Sequence, residues 1–165
     1  MDHSGDTWPE SDVHGHVKDY DRIEEFIWLG SDLCNPFVCN LHADEFKKIG
    51  VLVEISLTAE KKDTPPDNIE HYSWIPVVDD TPPNIYQLDA GTSIIHQAVL
   101  DRKPVYVHCQ HGHGRSPTLV AAYYVRYRNM SARDALLYVK SRRPEIHPTR
   151  SQVEALEKYA ERWSK

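Results

Sequence analysis

Cysteine is scarce in this chain: there are three in 165 residues, Cys34, Cys39 and Cys109. An odd, low count does not suit a disulfide framework and reads as reduced thiols in a cytoplasm-like compartment. No Cys-x2-Cys pair exists, so a structural zinc site has no recognisable ligand spacing. Positive charge is also in deficit. Lys plus Arg is 19 against 25 for Asp plus Glu, a net charge of −6 with neutral histidine. That balance argues against nucleic-acid or anionic-membrane binding over the whole surface. Long apolar runs are missing. The longest, Thr118 to Val125, falls far short of the roughly 20 residues a membrane span requires. The polar, acidic first residues do not have the pattern of a secretion signal. The expectation is a cytoplasmic monomer with no transmembrane segment, no nucleic-acid partner and no cofactor.

What is present describes one globular unit. Hydrophobic residues make up 40% and charged residues 27%. A chain of this length buries roughly two-thirds of its unfolded surface and needs no staple. Residues 1–20 lack periodicity and read as a loosely ordered arm anchored through Trp8, with His14 and His16 in it; residues 21–165 read as one domain. Within that domain, strand signals fall at Ile23 to Leu29, Val51 to Leu57, His71 to Val78 and Val105 to Val107. Helical signals fall at Leu41 to Ile49 with Asn40 as cap, Tyr86 to Leu100, Arg115 to Arg128, Ser131 to about Arg142 with a capping box, and a last helix capped by Thr149. Strands alternating with helices predict an α/β fold, a mostly parallel central sheet flanked by helices in three layers.

The informative stretch is Val105 to Thr118, VYVHCQHGHGRSPT. It reads as strand, loop and helix. Ligands of such sheets bind beyond the carboxyl ends of the strands. A helix N-terminus there offers unpaired N–H groups and about half a positive charge, which suits an anion. Gly112 and Gly114 let successive amides turn inward as a nest. Cys109 opens the loop and Arg115 closes it. The thiolate, not the thiol, is the nucleophile, and a field of amides plus a guanidinium favours it. The same field binds phosphate, which the planar fork of Arg115 can grip on two oxygens. Ser116 is expected to donate a hydrogen bond to the departing sulfur, and His108 to brace the loop. Gln110, His111, Gly112, His113 and Gly114 complete the phosphate-binding set.

His108-Cys109-x5-Arg115-Ser116 resembles the signature of the cysteine-dependent protein tyrosine phosphatase superfamily. A chance match of four fixed positions has a probability of about one in a thousand here. IWLGS (27–31), IPVVDD (75–80) and RRPEIHPTRSQVEAL (142–156) resemble the opening strand, acid loop and C-terminal helices of its dual-specificity branch. The resemblance implies attack by Cys109 on phosphorus, a cysteinyl-phosphate intermediate, and an aspartate that acts first as acid and then as base. Alignment with the family sets that role at Asp79, with Asp80 as the fallback. The tryptophan-bearing acid loop and the tyrosine-bearing recognition loop of the large tyrosine-specific enzymes are missing, which implies a shallow, permissive pocket. The implied substrates are phosphotyrosine and phosphoserine or phosphothreonine in proteins. Segments such as RSPTLVAAYYV are also similar to phosphatases acting on phosphatidylglycerophosphate, an alternative lipid substrate.

Blander readings stand beside these. Cys109 alone is compatible with an inert core thiol, and Asp79-Asp80 with a turn signal before Pro82-Pro83. His108, Cys109, His111 and His113 are metal-ligand types without a second ligand cluster, so no metal is expected. His111 and His113 read as rim residues whose charge varies near neutral pH, and Lys140 to Arg143 as a solvated helix end. A phosphate-binding pseudophosphatase module, a sulfur-transfer or arsenate-reducing enzyme and a zinc-binding protein are the rival classes.

Overall fold

The computed structural model describes residues 19–32 and 40–164. The expectations for Trp8, His14, His16, Cys34 and Cys39 lie outside the described residues. In chain order the elements are β1 (Tyr20–Glu24), β2 (Ile27–Gly30), α1 (Asn40–Ile49), β3 (Val53–Thr58), β4 (His71–Val77), α2 (Ile85–Leu100), β5 (Val105–His108), α3 (Arg115–Tyr127), α4 (Ala132–Arg142) and α5 (Arg150–Trp163). The strands form one five-stranded sheet in the order β1-β2-β5-β3-β4. Only the β1–β2 pair is antiparallel. The expected α/β architecture with a mostly parallel sheet is what the chain adopts.

Side-chain alternation on β5 separates the layers. Val105 and Val107 join the main core with α2, α3, α4 and α5, whereas Tyr106 packs with Tyr20, Phe46 and Val51 on the α1 side. Helix α3 lies between β5 and helices α2, α4 and α5, and every residue from Arg115 to Val125 is buried. A helix covered on all sides accounts for the apolar run in its sequence.

Two expectations change, and one feature is added. The strand read over Ile23 to Leu29 is a hairpin. β1 and β2 pair from Tyr20↔Gly30 to Glu24↔Ile27, and Arg22 donates from Nε and Nη2 to the Glu25 carbonyl across the bend. No Gly, Pro or Asn marks that reversal. The Ser131 cap of α4 is real, accepting from the Asp134 amide, but among the described residues the full capping boxes are those of α2 and α5, built by Asn84 with Gln87 and by Thr149 with Gln152. The polar side of β3 does not face water, because Glu54, Ser56 and Thr58 are all buried. Among the described residues no helix is long and apolar enough to cross a membrane.

Candidate active site

The loop from Cys109 to Gly114 joins the end of β5 to the start of α3, at the carboxyl edge of the parallel strands. Its carbonyls are held from outside. Gln110 O accepts from the Asp32 amide, His113 O from the His147 amide, and Gly114 O from the Thr118 amide and hydroxyl. Arg143 donates from Nη2 to His111 O and from Nε to Gly112 O, at 2.9 Å each. In a planar trans peptide the next N–H points opposite to the carbonyl. Pinning these oxygens outward therefore turns the amides from His111 to Arg115 inward, into a nest for an anion.

Arg143 contradicts the solvated-helix-end reading: its side chain is 0% exposed, and it also binds Asp19 and Asp21. Its position in the fold explains this, since the outward carbonyls need donors that the loop itself cannot supply. Gly112 adopts φ +72, and a Cβ there would meet the Gly30 carbonyl at 2.5 Å. Gly114 has φ −130, so positive φ is not its reason; it is tight because a Cβ would press on Gln152 at 2.8 Å.

Cys109 is 3% exposed, and its Sγ lies 3.2 Å from Ser116 Oγ. Arg115 is 1% exposed and arrives beside them from the first turn of α3. Its Nη1 donates to Glu60 Oε1 and to the Val77 carbonyl, and its Nη2 to Glu60 Oε2. The Nε is buried without a hydrogen-bond partner. Glu60 and Val77 thus take the end of the guanidinium and leave the Nε/Nη2 side for two oxygens of a ligand. Burial opposes the charge of Arg115, but Glu60, Cys109 and Asp79 hold it on. The hydrogen bonds from Arg115 in turn pull the Glu60 carboxyl below its usual range.

Asp79 Oδ1 is 3.5 Å from Arg115 Nε, and the Asp79 side chain is 60% exposed at the rim. Asp80 has φ +64, a left-handed backbone that Asp tolerates. Its carbonyl accepts from Thr149 and Ser151, and Gln152 donates to Thr81 O. The Asp79–Thr81 segment is therefore docked on the N-terminus of α5, and of the two aspartates it is Asp79 that reaches Arg115.

The profile of the family described as "Dual specificity phosphatase, catalytic domain" matches residues 34–162. The chain belongs to that family. Among curated relatives it is similar to two phosphatidylglycerophosphate phosphatases of Arabidopsis thaliana. One is 31% identical over 146 residues, 85% of this chain and 42% of the relative. The other is 31% identical over 143 residues, 81% of this chain and 60% of the relative. The chain thus spans less than two-thirds of the length of each. Human dual specificity protein phosphatase 16 is 33% identical over 128 residues, 77% of this chain and 18% of the relative. Among solved structures, Tk-PTP in its active form is 25% identical with a TM-score of 0.75, covering 88% of this chain and 98% of that one. The crystal structure of PTPMT1 has a TM-score of 0.74 at 22% identity, covering 87% of this chain and 94% of that one. The dual-specificity phosphatase fold is therefore shared across most of the domain.

Residues that the sequence did not single out complete the family site. Glu60 orients Arg115, and Arg143 braces the loop. Behind the loop, His108 Nε2 pairs with Glu54 Oε2 at 2.9 Å, and its Nδ1 lies 3.4 Å from the Cys109 carbonyl. The expected bracing by His108 is thus mainly toward β3. Glu54, Asp63 and His108 are the described acid and imidazole groups whose donor atoms lie within 4.8 Å of one another. That space is taken by the direct His108–Glu54 hydrogen bond and by the Lys61 ammonium, 3.1 Å from Asp63. His111, by contrast, is exposed at the rim, where its ring stacks with that of His113, which in turn meets His147.

Proposed function

We propose that the chain hydrolyses phosphomonoesters through a cysteinyl-phosphate, with phosphotyrosine in proteins as the first substrate class and phosphoserine or phosphothreonine as the second. The observation that carries this is the buried Sγ of Cys109 beside Ser116, next to an inward amide nest and an Arg115 guanidinium whose Nε makes no hydrogen bond and has only the rim carboxylate of Asp79 near it, at 3.5 Å. The Cys109 thiolate attacks phosphorus. An S–P bond forms as the bond to the ester oxygen breaks, and Asp79 gives its proton to that oxygen. Asp79 then takes a proton from water as the water oxygen attacks phosphorus. The S–P bond breaks, and sulfur leaves as thiolate with the Ser116 hydroxyl donating to it. Amides from His111 to Arg115 and the guanidinium stabilise the equatorial oxygens throughout.

The rim supports a singly phosphorylated group. The guanidinium of Arg143 is committed to His111 O, Gly112 O, Asp19 and Asp21, so it adds no second phosphate clamp. Burial, and then the neighbouring Arg143 charge, pull the His113 pKa down, so His113 supplies little fixed charge. The test is a panel at matched pH of phosphotyrosine, phosphoserine and phosphothreonine peptides against phosphatidylglycerophosphate in mixed micelles. Phosphotyrosine peptides should be turned over with a kcat/KM at least about tenfold above the lipid, a difference of roughly 1.4 kcal/mol in the barrier. The opposite order would move the assignment to the phospholipid. That second reading is favoured by one observation, the 31% identity to the Arabidopsis phosphatidylglycerophosphate phosphatases over 85% and 81% of this chain.

A separate expectation concerns Glu60. Replacing Glu60 with Gln keeps the shape but removes the anion that fixes the end of the guanidinium. Loss of alignment of this kind lowers kcat/KM by about 10- to 100-fold. Weaker inhibition by vanadate should accompany it. Unchanged vanadate affinity and unchanged kcat/KM in Glu60→Gln would remove Glu60 from the site.

A further inference from the structure

Strand β3 is polar on one side although it lies inside the sheet. Glu54, Ser56 and Thr58 share a face, and register sets Glu54 beside Tyr106 and Ser56 beside His108. Glu54 is 0% exposed, as is His108. The Glu54 Oε1 and Asp63 Oδ2 atoms are buried without a hydrogen-bond partner, and Asp63 Oδ2 is 3.8 Å from His108 Nε2. A buried carboxylate is costly unless a cation offsets it. For Glu54 the contacting group able to supply that charge is the imidazole of His108.

The groups facing this pair come from several elements. Asp63 and Lys61 come from the β3–β4 loop, and Lys61 also reaches Asp32, beyond β2, at 3.6 Å. Tyr72 of β4 faces the two carboxylates, and with burial they push its hydroxyl up to about 12. Tyr106 of β5 packs its ring against His108. Burial raises the carboxyl of Asp32, against the opposing pull of Lys61 and His108. Burial works against a charged His108, but Glu54 by hydrogen bond and charge, then Asp63 and Asp32 by charge, outweigh it and lift the imidazole to about 9. The far side of that ring is turned to the Cys109 backbone.

We propose that Glu54, backed by Asp63, is a positioning residue that keeps a proton on His108 and so maintains a buried imidazolium directly behind Cys109. The proposal rests on Cys109 being the reacting atom. The imidazolium sits behind the loop, on the side away from the amide nest. It therefore adds to the field on the sulfur without occupying a phosphate ligand, and that field is present in the free enzyme before substrate arrives. In low dielectric such a charge is screened little.

The experiment reads two proton equilibria without turnover. The His108 imidazole is followed by NMR as a function of pH, and Cys109 ionisation by the pH dependence of alkylation with iodoacetamide. In the wild type His108 should stay protonated through pH 8. In Glu54→Gln it should titrate at least about one unit lower, and the alkylation midpoint of Cys109 should move up by about one unit. Glu54→Asp, which keeps the charge, should recover most of both shifts, a result that a purely structural role would not give. Asp63→Asn should move both in the same direction by less, and it decides the matter if Glu54→Gln does not fold. Neutral His108 in the wild type, or a Cys109 midpoint unmoved in a folded variant, overturns the proposal. So does stoichiometric zinc retained by the wild type after dialysis and lost in Glu54→Gln, because the trio would then be a ligand set. A wild type that alkylates as expected but hydrolyses no phosphomonoester would instead count against the phosphatase reading.

Discussion

Cys109→Ser should lower turnover of an aryl phosphate by about 10⁴-fold or more while leaving the anion site intact. The chemistry sets the size of the loss. A serine hydroxyl stays protonated near neutral pH, and activating it requires an adjacent base. The group at hydrogen-bond distance from the sulfur is the hydroxyl of Ser116, 3.2 Å away, which is no base. The imidazole of His108 is engaged with Glu54 on the other side of the loop. The nest, by contrast, is made of backbone amides and the Arg115 side chain, none of which the substitution touches. Vanadate or tungstate should therefore still bind, and still raise the Tm. Stability should change by no more than about 1 kcal/mol, because an oxygen replaces a sulfur in a nearly closed space. The measurement is steady-state hydrolysis of p-nitrophenyl phosphate beside calorimetric titration with tungstate. Turnover within tenfold of the wild type in the serine variant would eliminate the covalent mechanism. In the wild type, acid quench of a fast substrate should trap one phosphate per chain on Cys109.

Asp79→Ala should lower kcat by about 10²- to 10³-fold on an alkyl phosphate and by much less on p-nitrophenyl phosphate. A good leaving group departs without a proton, whereas an alkoxide needs one. Asp80→Ala should leave kcat within a few-fold for both substrates. The asymmetry is structural. Asp79 Oδ1 lies 3.5 Å from Arg115 Nε, whereas the hydrogen bonds of Asp80 are made by its backbone, the amide donating to Asp79 Oδ1 and the carbonyl accepting from Thr149 and Ser151. Alanine at position 80 also has to adopt φ +64, which costs about 1–2 kcal/mol, so that variant should lose stability and keep its chemistry. A leaving-group series with each variant checks both statements. A steeper leaving-group dependence in Asp80→Ala than in Asp79→Ala would exchange their roles.

The part of the site that was legible in the sequence is the part that is contiguous. Cys109, Gly112, Arg115 and Ser116 lie in one strand–loop–helix passage, and the local pattern carries the geometry. Asp79 was legible only through family resemblance, since aspartates before prolines are otherwise ordinary turn residues. Glu60 and Arg143 were not legible, because their partners lie far along the chain. Glu60 meets Arg115 across 55 positions, and Arg143 meets the loop carbonyls across 31 and 32. Glu54 left a faint signal, a charge on a strand otherwise alternating in the usual way. Reading it correctly required knowing that both faces of β3 are covered. The hairpin of β1 and β2 was lost for the opposite reason. Its bend carries none of the residues that normally announce one, and an arginine side chain takes over part of the work of a turn.

The outward carbonyls of the cup also bear on when, during synthesis, the cup is completed. Cys109 and Arg115 leave the ribosome together, but the donors from Arg143 and His147 emerge some thirty residues later. Until they dock, the loop lacks the grip that aims its amides. The cup is therefore completed only once the part of the domain that carries these donors has been made.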